Sequence, residues 1–224
     1  MNAKDKKPNY KKIYMFVKEK FDKTNHFYHG PFDETYFTLR VFEEAKNIIQ
    51  ELKEKKIKKQ EVLTAAILHD VGKTKLKPSK LFHGTKERKN IRDEWMKHAE
   101  LGVPIARKYL KEQGHSPEFI ENVCYLIKNH DKRDMKTKTT ELEILQDADI
   151  LADIGYAGFI RPFLYATRFK RTTISTIEFL QKENRFEDNH INLNASKKLG
   201  KNKMKRQKEL AKEILNDIKS ELIE

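Results

Sequence analysis

The residues of this chain that are best suited to chemistry are an adjacent histidine and aspartate, His69 and Asp70. They end a strongly apolar run, within the segment LHDVGK. A carboxylate in that position costs free energy unless it is paired with a cation or coordinates a metal ion. Imidazole and carboxylate ligands together suit Mn, Fe, Zn or Co better than Ca. The pair therefore predicts a transition-metal site.

Three further segments carry histidines or carboxylates that suit the same purpose. His98 lies in KHAELG, His130 ends IKNH, and QDADIL contains Asp147 and Asp149. The single cysteine, Cys124, permits neither an intrachain disulfide nor a thiolate cluster. Any metal bound by this chain must therefore take histidine and carboxylate ligands.

These four segments resemble, in the same order, the motifs of the HD superfamily of metal-dependent phosphohydrolases. The likeness spans about residues 29–170 and continues through Gly155 and Gly158 to Arg161. Four motifs in order are far more specific than one His-Asp pair. The resemblance implies hydrolysis of a phosphoester or phosphoanhydride by a metal-activated water. By the same analogy, the substrate would be a nucleotide or a related small phosphorylated molecule.

The resemblance also implies a role for each matching residue. His69, Asp70 and Asp149 would bind the core metal, while His98 and His130 would bind a second metal or hold the substrate phosphate. The cofactor would be one or two divalent ions among Mn, Fe, Co, Zn, Ni and Mg. The alternatives are that His98 only faces a neighbouring helix, and that His130 only caps a helix C-terminus.

Two cations and one further carboxylate complete the expected site. Lys73, one turn beyond the metal pair, and Arg161 are expected to contact phosphate oxygens and, with Asp70, to form the catalytic set. Asp147 lies two residues before Asp149, and positions two apart do not share a helical face. We therefore expect Asp147 to support a ligand or cap a helix rather than bind the metal.

The sequence departs from the family pattern at the first ligand. The family has a histidine four residues before the valine of its HxxRV helix, and the matching residue here is Phe37, which cannot bind a metal. His29 is the first candidate to replace it, since imidazole is a good ligand and a Gly-Pro pair follows. Glu34 is the second, because it lies three residues from Phe37 on one helical face. Water is the third, and His29 as a turn cap is the alternative.

Apolar residues recur at helical spacing through most of the chain, which predicts an all-α protein with the metal site between central helices. The run at 60–70 is apolar on all sides, so we expect it to be a buried helix. Ser116 and Thr140 are expected to begin helices. The predicted helices cover residues 10–23, 33–56, 60–70, 95–110, 117–129, 140–154 and 196–222, with loops at 74–90 and 183–194.

One helical bundle is the expected domain organisation. An N-terminal helix in residues 1–24 would pack on an HD-type core at 25–182, and the loop and last helix at 183–224 would belong to the same domain. Tyr156, Phe159 and Tyr165 are expected to be core residues rather than a platform for stacking bases.

The net charge of +13 favours attraction to polyanions and phosphorylated substrates, although lysines spread over every segment also suit a solvated surface. No segment approaches ~20 apolar residues, so we expect a cytoplasmic protein without a membrane partner. A second hypothesis is a degenerate HD module that binds nucleotide or nucleic acid without turnover, supported by the basic patch at 197–208. A cyclic-dinucleotide phosphodiesterase ranks lower, because its GYP element is absent. The oligomeric state stays open.

Overall fold

Helices are the only regular secondary structure in the part of the chain that the computed structural model describes. Those residues are 6–24, 34–53, 56–76, 88–166, 171–182 and 190–221. They form nine α-helices and one 3₁₀ helix, with no β-strand, which confirms the predicted all-α class. In chain order the elements are α1 (Tyr10–Asp22), α2 (Glu34–Leu52), α3 (Lys59–Leu68), the 3₁₀ helix (Val71–Lys75), α4 (Arg88–Glu112), α5 (Pro117–Asn129), α6 (Thr140–Ala152), α7 (Gly155–Ala166), α8 (Thr173–Lys182) and α9 (Asn194–Glu221).

The helix starts follow the capping chemistry of the sequence, with one correction. The Ser116 side chain accepts a hydrogen bond from the backbone N–H of Phe119 at 3.2 Å, which confirms the predicted cap of α5. At α6 the cap is Thr139 rather than Thr140. Its hydroxyl accepts from the backbone N–H of Leu142 at 3.2 Å, and its extended backbone conformation is the one that a capping residue needs.

Four segments differ from the predicted pattern. The buried helix α3 ends at Leu68, one residue before the His-Asp pair, and the chain then tightens into the 3₁₀ helix instead of entering a loop. Helix α4 begins at Arg88, earlier than its apolar stripe indicates. The aromatic segment after residue 155 forms α7 despite Pro162. Helix α8 was not predicted, since Thr and Ser occupy much of its first turn.

Helix α3 lies at the centre of the main core. Val62 and all residues from Thr64 to Leu68 are buried, and α3 contacts α1, α2, α5 and α6. Apolar surface buried on every side makes this the most enclosed part of the molecule, and the first residues of the metal motif follow it directly. The core therefore fixes the backbone that carries His69 and Asp70.

A smaller apolar cluster joins α7, α8 and α9. Its buried members are Phe159, Ile177, Leu180, Ala211 and Leu215, so the core prediction holds for Phe159. Tyr156 is instead exposed, against the prediction, and the side chain of Tyr165 lies outside the described part. The domain limits at residues 24 and 182 stay predictions.

The basic patch at 197–208 partly serves to hold α9 in place. Lys203 forms an ion pair with Glu44 of α2, and the Nζ atom of Lys198 lies 3.5 Å from a carboxylate oxygen of Glu51, also in α2.

Among the described helices, none combines the length and the apolar character that a membrane span requires.

Candidate metal centre

The histidines of the four motifs converge although they come from different elements. His69 follows α3, His98 lies within α4, and His130 follows the last residue of α5. All three side chains are almost completely buried, as is Asp70. The rings of His69 and His98 each lie 5.0 Å, centroid to centroid, from the ring of His130. The structure thus brings together residues separated by more than 60 positions in sequence.

Each of these imidazoles is oriented by the same local hydrogen bond. The Nδ1 atom of His69 lies 2.9 Å from the carbonyl oxygen of Ala66, three residues earlier in the chain. The equivalent distances are 2.6 Å for His98 and 2.7 Å for His130, again to the carbonyl oxygen three residues before. A carbonyl oxygen can only accept, so Nδ1 carries the proton and Nε2 is directed toward the centre of the cluster. Metal-ligating histidines are commonly fixed in this way.

Asp70 lies at the point where the three Nε2 atoms meet. Its Oδ2 atom is 3.1 Å from Nε2 of His69, and its Oδ1 atom is 3.1 Å from Nε2 of His98 and 3.8 Å from Nε2 of His130. Both oxygens of one carboxylate therefore face imidazole nitrogens. This is the arrangement expected of a carboxylate that binds one metal or lies between two.

The protein atoms alone do not satisfy this cluster. The Nε2 atoms of His98 and His130 lie 3.1 Å apart, which is stable only with a proton or a cation between two lone pairs. The buried Nε2 of His69 makes no hydrogen bond of acceptable geometry within the described part. Buried polar atoms are rarely left in this state, so the donor set fits a bound divalent metal. Its nitrogen and oxygen donors suit a transition metal.

Asp131 joins the site, and sequence reasoning missed it. Its Oδ2 atom is 3.3 Å from Nε2 of His98 and 3.7 Å from Nε2 of His130. Two overlapping groups have the spacing to hold an ion, His98 with His130 and Asp131, and His69 with Asp70 and His130. They share His130, so its Nε2 atom can serve only one of them. The signal was present in the sequence, because His130 and Asp131 form a second His-Asp pair.

Asp149 lies at the edge of this cluster. Its Oδ1 atom is 3.7 Å from Nε2 of His69, and its Oδ2 atom accepts a hydrogen bond at 3.1 Å from Arg133, a residue that sequence reasoning also missed. Arg133 is anchored by a second bond, at 2.7 Å, to the carbonyl oxygen of Gln146. Asp147 points elsewhere and accepts the backbone N–H groups of Asn192 and Leu193 at 2.8 and 2.9 Å. It therefore anchors the chain just before α9, as its spacing from Asp149 led us to expect.

The two expected phosphate-binding cations lie beside the cluster and are engaged by carboxylates. Lys73 donates to Asp70 at 2.7 Å and to Glu34 at 3.0 Å. Arg161 donates to the other oxygen of Glu34 at 2.5 Å and to Asp153 at 2.9 Å. Glu34 is almost fully buried, and its carboxylate thus links both cations. A chain of alternating charge runs from Asp153 to Asp70.

Phe37 occupies the position of the missing family ligand, and its ring contacts the cations of the site instead. The guanidinium of Arg161 lies 3.9 Å from the ring centroid, a cation–π contact, and the ring centroid of His69 lies 6.3 Å away. His29, the first candidate to replace the histidine, lies outside the described residues.

The charges of the cluster perturb one another strongly. Burial disfavours the imidazolium of His69, but Asp70 and Asp149 outweigh it and raise the pKa of His69 to about 10. Burial is likewise outweighed at Asp149, where His69 and Arg133 hold the pKa of the carboxyl below its usual range. The pKa of His130 is lowered, because burial and the neighbouring histidines disfavour its charge. Because its pKa is raised, His69 carries a second proton near neutral pH, and this proton lies where a metal ion would bind.

A cavity of about 560 Å³ opens above the cluster. Its walls combine the candidate metal ligands with cations and with aromatic rings. Pockets for small ligands fall in the range of ~300–1,000 Å³, so a nucleotide-sized molecule can enter. Besides the acidic and histidine side chains already described, the lining includes Phe37, Lys73, Trp95, Arg161, Pro162, Arg171 and Phe179.

The sequence profile of the HD domain matches residues 38–154, which is more than half of the chain. The chain belongs to the HD family. No curated protein sequence matches it significantly.

Several solved structures share its fold over nearly the whole length. A predicted HD superfamily hydrolase from an uncultured Thermotogales bacterium is 22% identical, with 94% of this chain and 93% of that chain covered and a TM-score of 0.59. Bacillus subtilis YpgQ is 20% identical over 93% and 95%, with a TM-score of 0.63. YpgQ in complex with ADP is 18% identical over 94% and 98%, with a TM-score of 0.60.

A close contact between two glycines lies beneath the site. Gly72 of the 3₁₀ helix packs against Gly102 of α4, and a Cβ at Gly72 would lie 2.0 Å from the carbonyl oxygen of His98. The glycine of LHDVGK and the glycine of KHAELG thus meet. Their contact lets Asp70 and His98 approach within 3.1 Å.

Proposed function

We propose that this HD protein is a metal-dependent phosphohydrolase that cleaves a phosphoester or phosphoanhydride bond. The observation that carries the proposal is the convergence of three buried Nε2 atoms on the carboxylate of Asp70, at the floor of a cavity that also holds Lys73 and Arg161. Protein groups alone leave this arrangement incomplete, and a cation completes it. Family and fold support metal-dependent hydrolysis in general, and the substrate is part of the proposal.

Each group of the cluster has a distinct task in this proposal. His69, Asp70 and Asp149 hold the first metal, and His98, His130 and Asp131 provide a second position. A bound divalent metal lowers the pKa of water from 15.7 toward ~7 and polarises a phosphoryl oxygen. The Nδ1 hydrogen bonds keep the imidazoles oriented before the metal arrives, and Arg133 holds the carboxylate of Asp149.

Lys73 and Arg161 are the groups that would offset charge on the phosphoryl group. Both are cations in a poorly hydrated wall of the cavity, where interactions between charges are stronger than in water. Because Glu34 engages both cations, a phosphoryl group must exchange with its carboxylate or bind beside it. Glu34 then sets how strongly these cations act on substrate.

A nucleotide is the substrate class that we favour. YpgQ, which shares the fold, has been solved with ADP, and the cavity has the volume, the cations and the aromatic rings that such a ligand needs. The net charge of +13 favours the approach of such anions.

The first ligand of the family needs a replacement, and we propose His29 for it. Glu34, the second candidate, is held by Lys73 and Arg161, which lowers its value as a metal ligand. The test compares the metal affinity of His29→Ala, Glu34→Gln and Phe37→His. Weaker binding in His29→Ala, partly restored by adding Phe37→His, supports His29. Unchanged affinity in both His29→Ala and Glu34→Gln assigns the position to water.

A binding module without turnover is the second candidate function, because Phe37 removes one ligand of the family set. Metal content by elemental analysis, combined with a screen of phosphoesters, separates the two. We expect wild type to take up metal and to hydrolyse, and Asp70→Ala to lose both. Asp217→Ala, on the C-terminal half of α9, is the control and should leave both unchanged. Full metal content in Asp70→Ala contradicts the metal centre, whereas metal binding without hydrolysis in wild type favours the binding module.

A further inference from the structure

One aromatic side chain of helix α8 lies outside the small apolar cluster that this helix forms with α7 and α9. Ile177 and Leu180 of this helix are buried in the small cluster with α7 and α9, but Phe179 belongs to neither apolar cluster. Its side chain is 37% exposed and lines the cavity above the metal centre. A phenylalanine in that place adds little to the stability of the fold, and it offers a ring to whatever enters the cavity.

Arg171 lies on the face of this ring. Its guanidinium carbon is 4.3 Å from the ring centroid of Phe179, and Arg171 also lines the cavity. The backbone around it is anchored on both sides. The N–H of Arg171 donates to the carbonyl oxygen of Ala166 at 2.9 Å, and the Thr172 side chain accepts from the N–H of Ser175 at 3.1 Å. The guanidinium and the ring therefore form a cation–π contact, which we call the Arg171–Phe179 stack.

The other aromatic rings of the cavity contact the two cations that are expected to bind phosphate. The ring of Phe37 lies under Arg161 at 3.9 Å, and the ring of Trp95 lies under Lys73 at 5.0 Å. Both cations belong to the charged chain that continues to Asp70. Arg171 directly precedes α8 and Phe179 lies within it, whereas the cations of the charged chain come from the 3₁₀ helix and α7. The cavity wall thus combines a network of charges with a ring and a guanidinium from the α8 segment.

We propose that the Arg171–Phe179 stack is the subsite for the nucleobase of the substrate. Aromatic rings and guanidinium planes both stack on bases, and such stacking tolerates any base because every base has a π-face. The subsite would therefore select nucleotides over phosphoesters without an aromatic ring, and would discriminate weakly among bases. The stack lies beyond the matched HD segment, which ends at residue 154. This inference rests on the proposed function, since it assumes that phosphate binds at the metal end.

The test compares two ligands that resist hydrolysis and differ only in the nucleoside. These are α,β-methylene-ADP and methylenediphosphonate, titrated calorimetrically into the full chain in the presence of Mn²⁺. Phe179→Leu keeps an apolar side chain of similar size but removes the ring, and Phe179→Tyr keeps the ring. Tyr125→Ala is the matched control, because Tyr125 is 39% exposed and does not line the cavity.

We expect Phe179→Leu to weaken α,β-methylene-ADP by about 5- to 100-fold, the range of one base stack, and to leave methylenediphosphonate within about twofold. Phe179→Tyr and Tyr125→Ala should bind both ligands as wild type does. Arg171→Lys retains the charge but loses the plane, and it should also weaken only the nucleotide ligand.

Three results overturn the inference. They are equal binding of α,β-methylene-ADP by Phe179→Leu and wild type, equal loss of both ligands in Phe179→Leu, and no preference of wild type for the ligand that carries the nucleoside. Failure of the proposed function looks different. Absence of metal-dependent turnover together with an intact nucleotide preference overturns the hydrolase and leaves the subsite in place. Turnover of base-free phosphoesters, with no preference for the ligand that carries the nucleoside, overturns the subsite and leaves the hydrolase in place.

Discussion

Replacing Gly72 by alanine should separate the two elements that form the metal centre. A Cβ at this position would lie 2.0 Å from the carbonyl oxygen of His98, 2.4 Å from the backbone nitrogen of Gly102 and 2.9 Å from its Cα. All three are backbone atoms, so no flexible side chain can move aside. The shortest contact must open by about 1 Å before it reaches the 3.0 Å at which real Cβ contacts begin.

That displacement acts directly on the ligands. Asp70 stands two residues before Gly72, and its Oδ1 atom is 3.1 Å from Nε2 of His98 on the opposing helix. Overpacking in a close-packed interior typically costs ~1–3 kcal/mol and occasionally more, and a backbone clash belongs at the upper end. We therefore expect Gly72→Ala to be less stable by about 3 kcal/mol or more. For a chain of this length each kcal/mol lowers Tm by roughly 2–4 °C, so the loss is about 6–12 °C.

Gly102→Ala is the matched control on the other side of the same contact. A Cβ there meets Cγ2 of Ile127 at 3.3 Å and the backbone nitrogen of Gly72 at 3.4 Å, which small shifts relieve. Alanine also favours a helix interior by about 1 kcal/mol over glycine. The two effects roughly cancel, so stability should change by less than about 1 kcal/mol. Urea unfolding and elemental analysis of both variants are the assay. Wild-type stability and full metal content in Gly72→Ala would refute the packing argument.

Four further predictions concern the charges of the site. Lys73→Ala should slow turnover or weaken phosphate binding but leave metal content intact, and unchanged kinetics would contradict its role toward substrate oxygens. Glu34→Gln should raise the affinity for inorganic phosphate, measured by calorimetry, because the two cations lose a competing charge; a weaker affinity would mean that Glu34 only positions them. In the metal-free protein the raised pKa of His69 adds stability that is present below pH 6.5 and is lost as pH rises through about 10, which urea unfolding across pH 6–10 would detect. Metal uptake near pH 7 should release protons, and calorimetry in two buffers would show none if His69 were already neutral.

Local signals in the sequence were sufficient for the fold class and for most residues that the structure brings together at the candidate metal centre. The His-Asp pair follows an apolar run, and such a run can only be buried, so His69 and Asp70 had to lie at the centre. Helix spacing also located most elements. The sequence could not show that α3 stops at residue 68, because the tight 3₁₀ helix is imposed by the approach of Gly72 to α4, a tertiary contact.

Apart from Asp131, which the His130-Asp131 pair could have revealed, the residues that were missed act through tertiary contacts. Arg133 meets Asp149 only because the loop after α5 folds back over α6, where the Gln146 side chain donates to the carbonyl oxygens of Asn129 and Lys132 at 3.1 and 3.0 Å. Phe179 belongs to a helix whose polar first turn hid it from a search for apolar periodicity. The spacing of residues along one helix does not show which residues of other segments will contact it.

Sequence reasoning assigned Lys73 and Arg161 to phosphate, and the structure pairs both with Glu34. The two assignments are compatible. Two cations in a buried wall require compensating charge, since the desolvation of an unpaired charge costs several kcal/mol. Asp70 and Asp153 each pair with one of these cations, and Glu34 pairs with both. Under the proposed function, a phosphoryl group would compete with Glu34 for Lys73 and Arg161. The net affinity for substrate would then be the free energy of the phosphoryl contacts minus that of the carboxylate contacts that they replace, and Glu34 would regain its contacts when the product leaves.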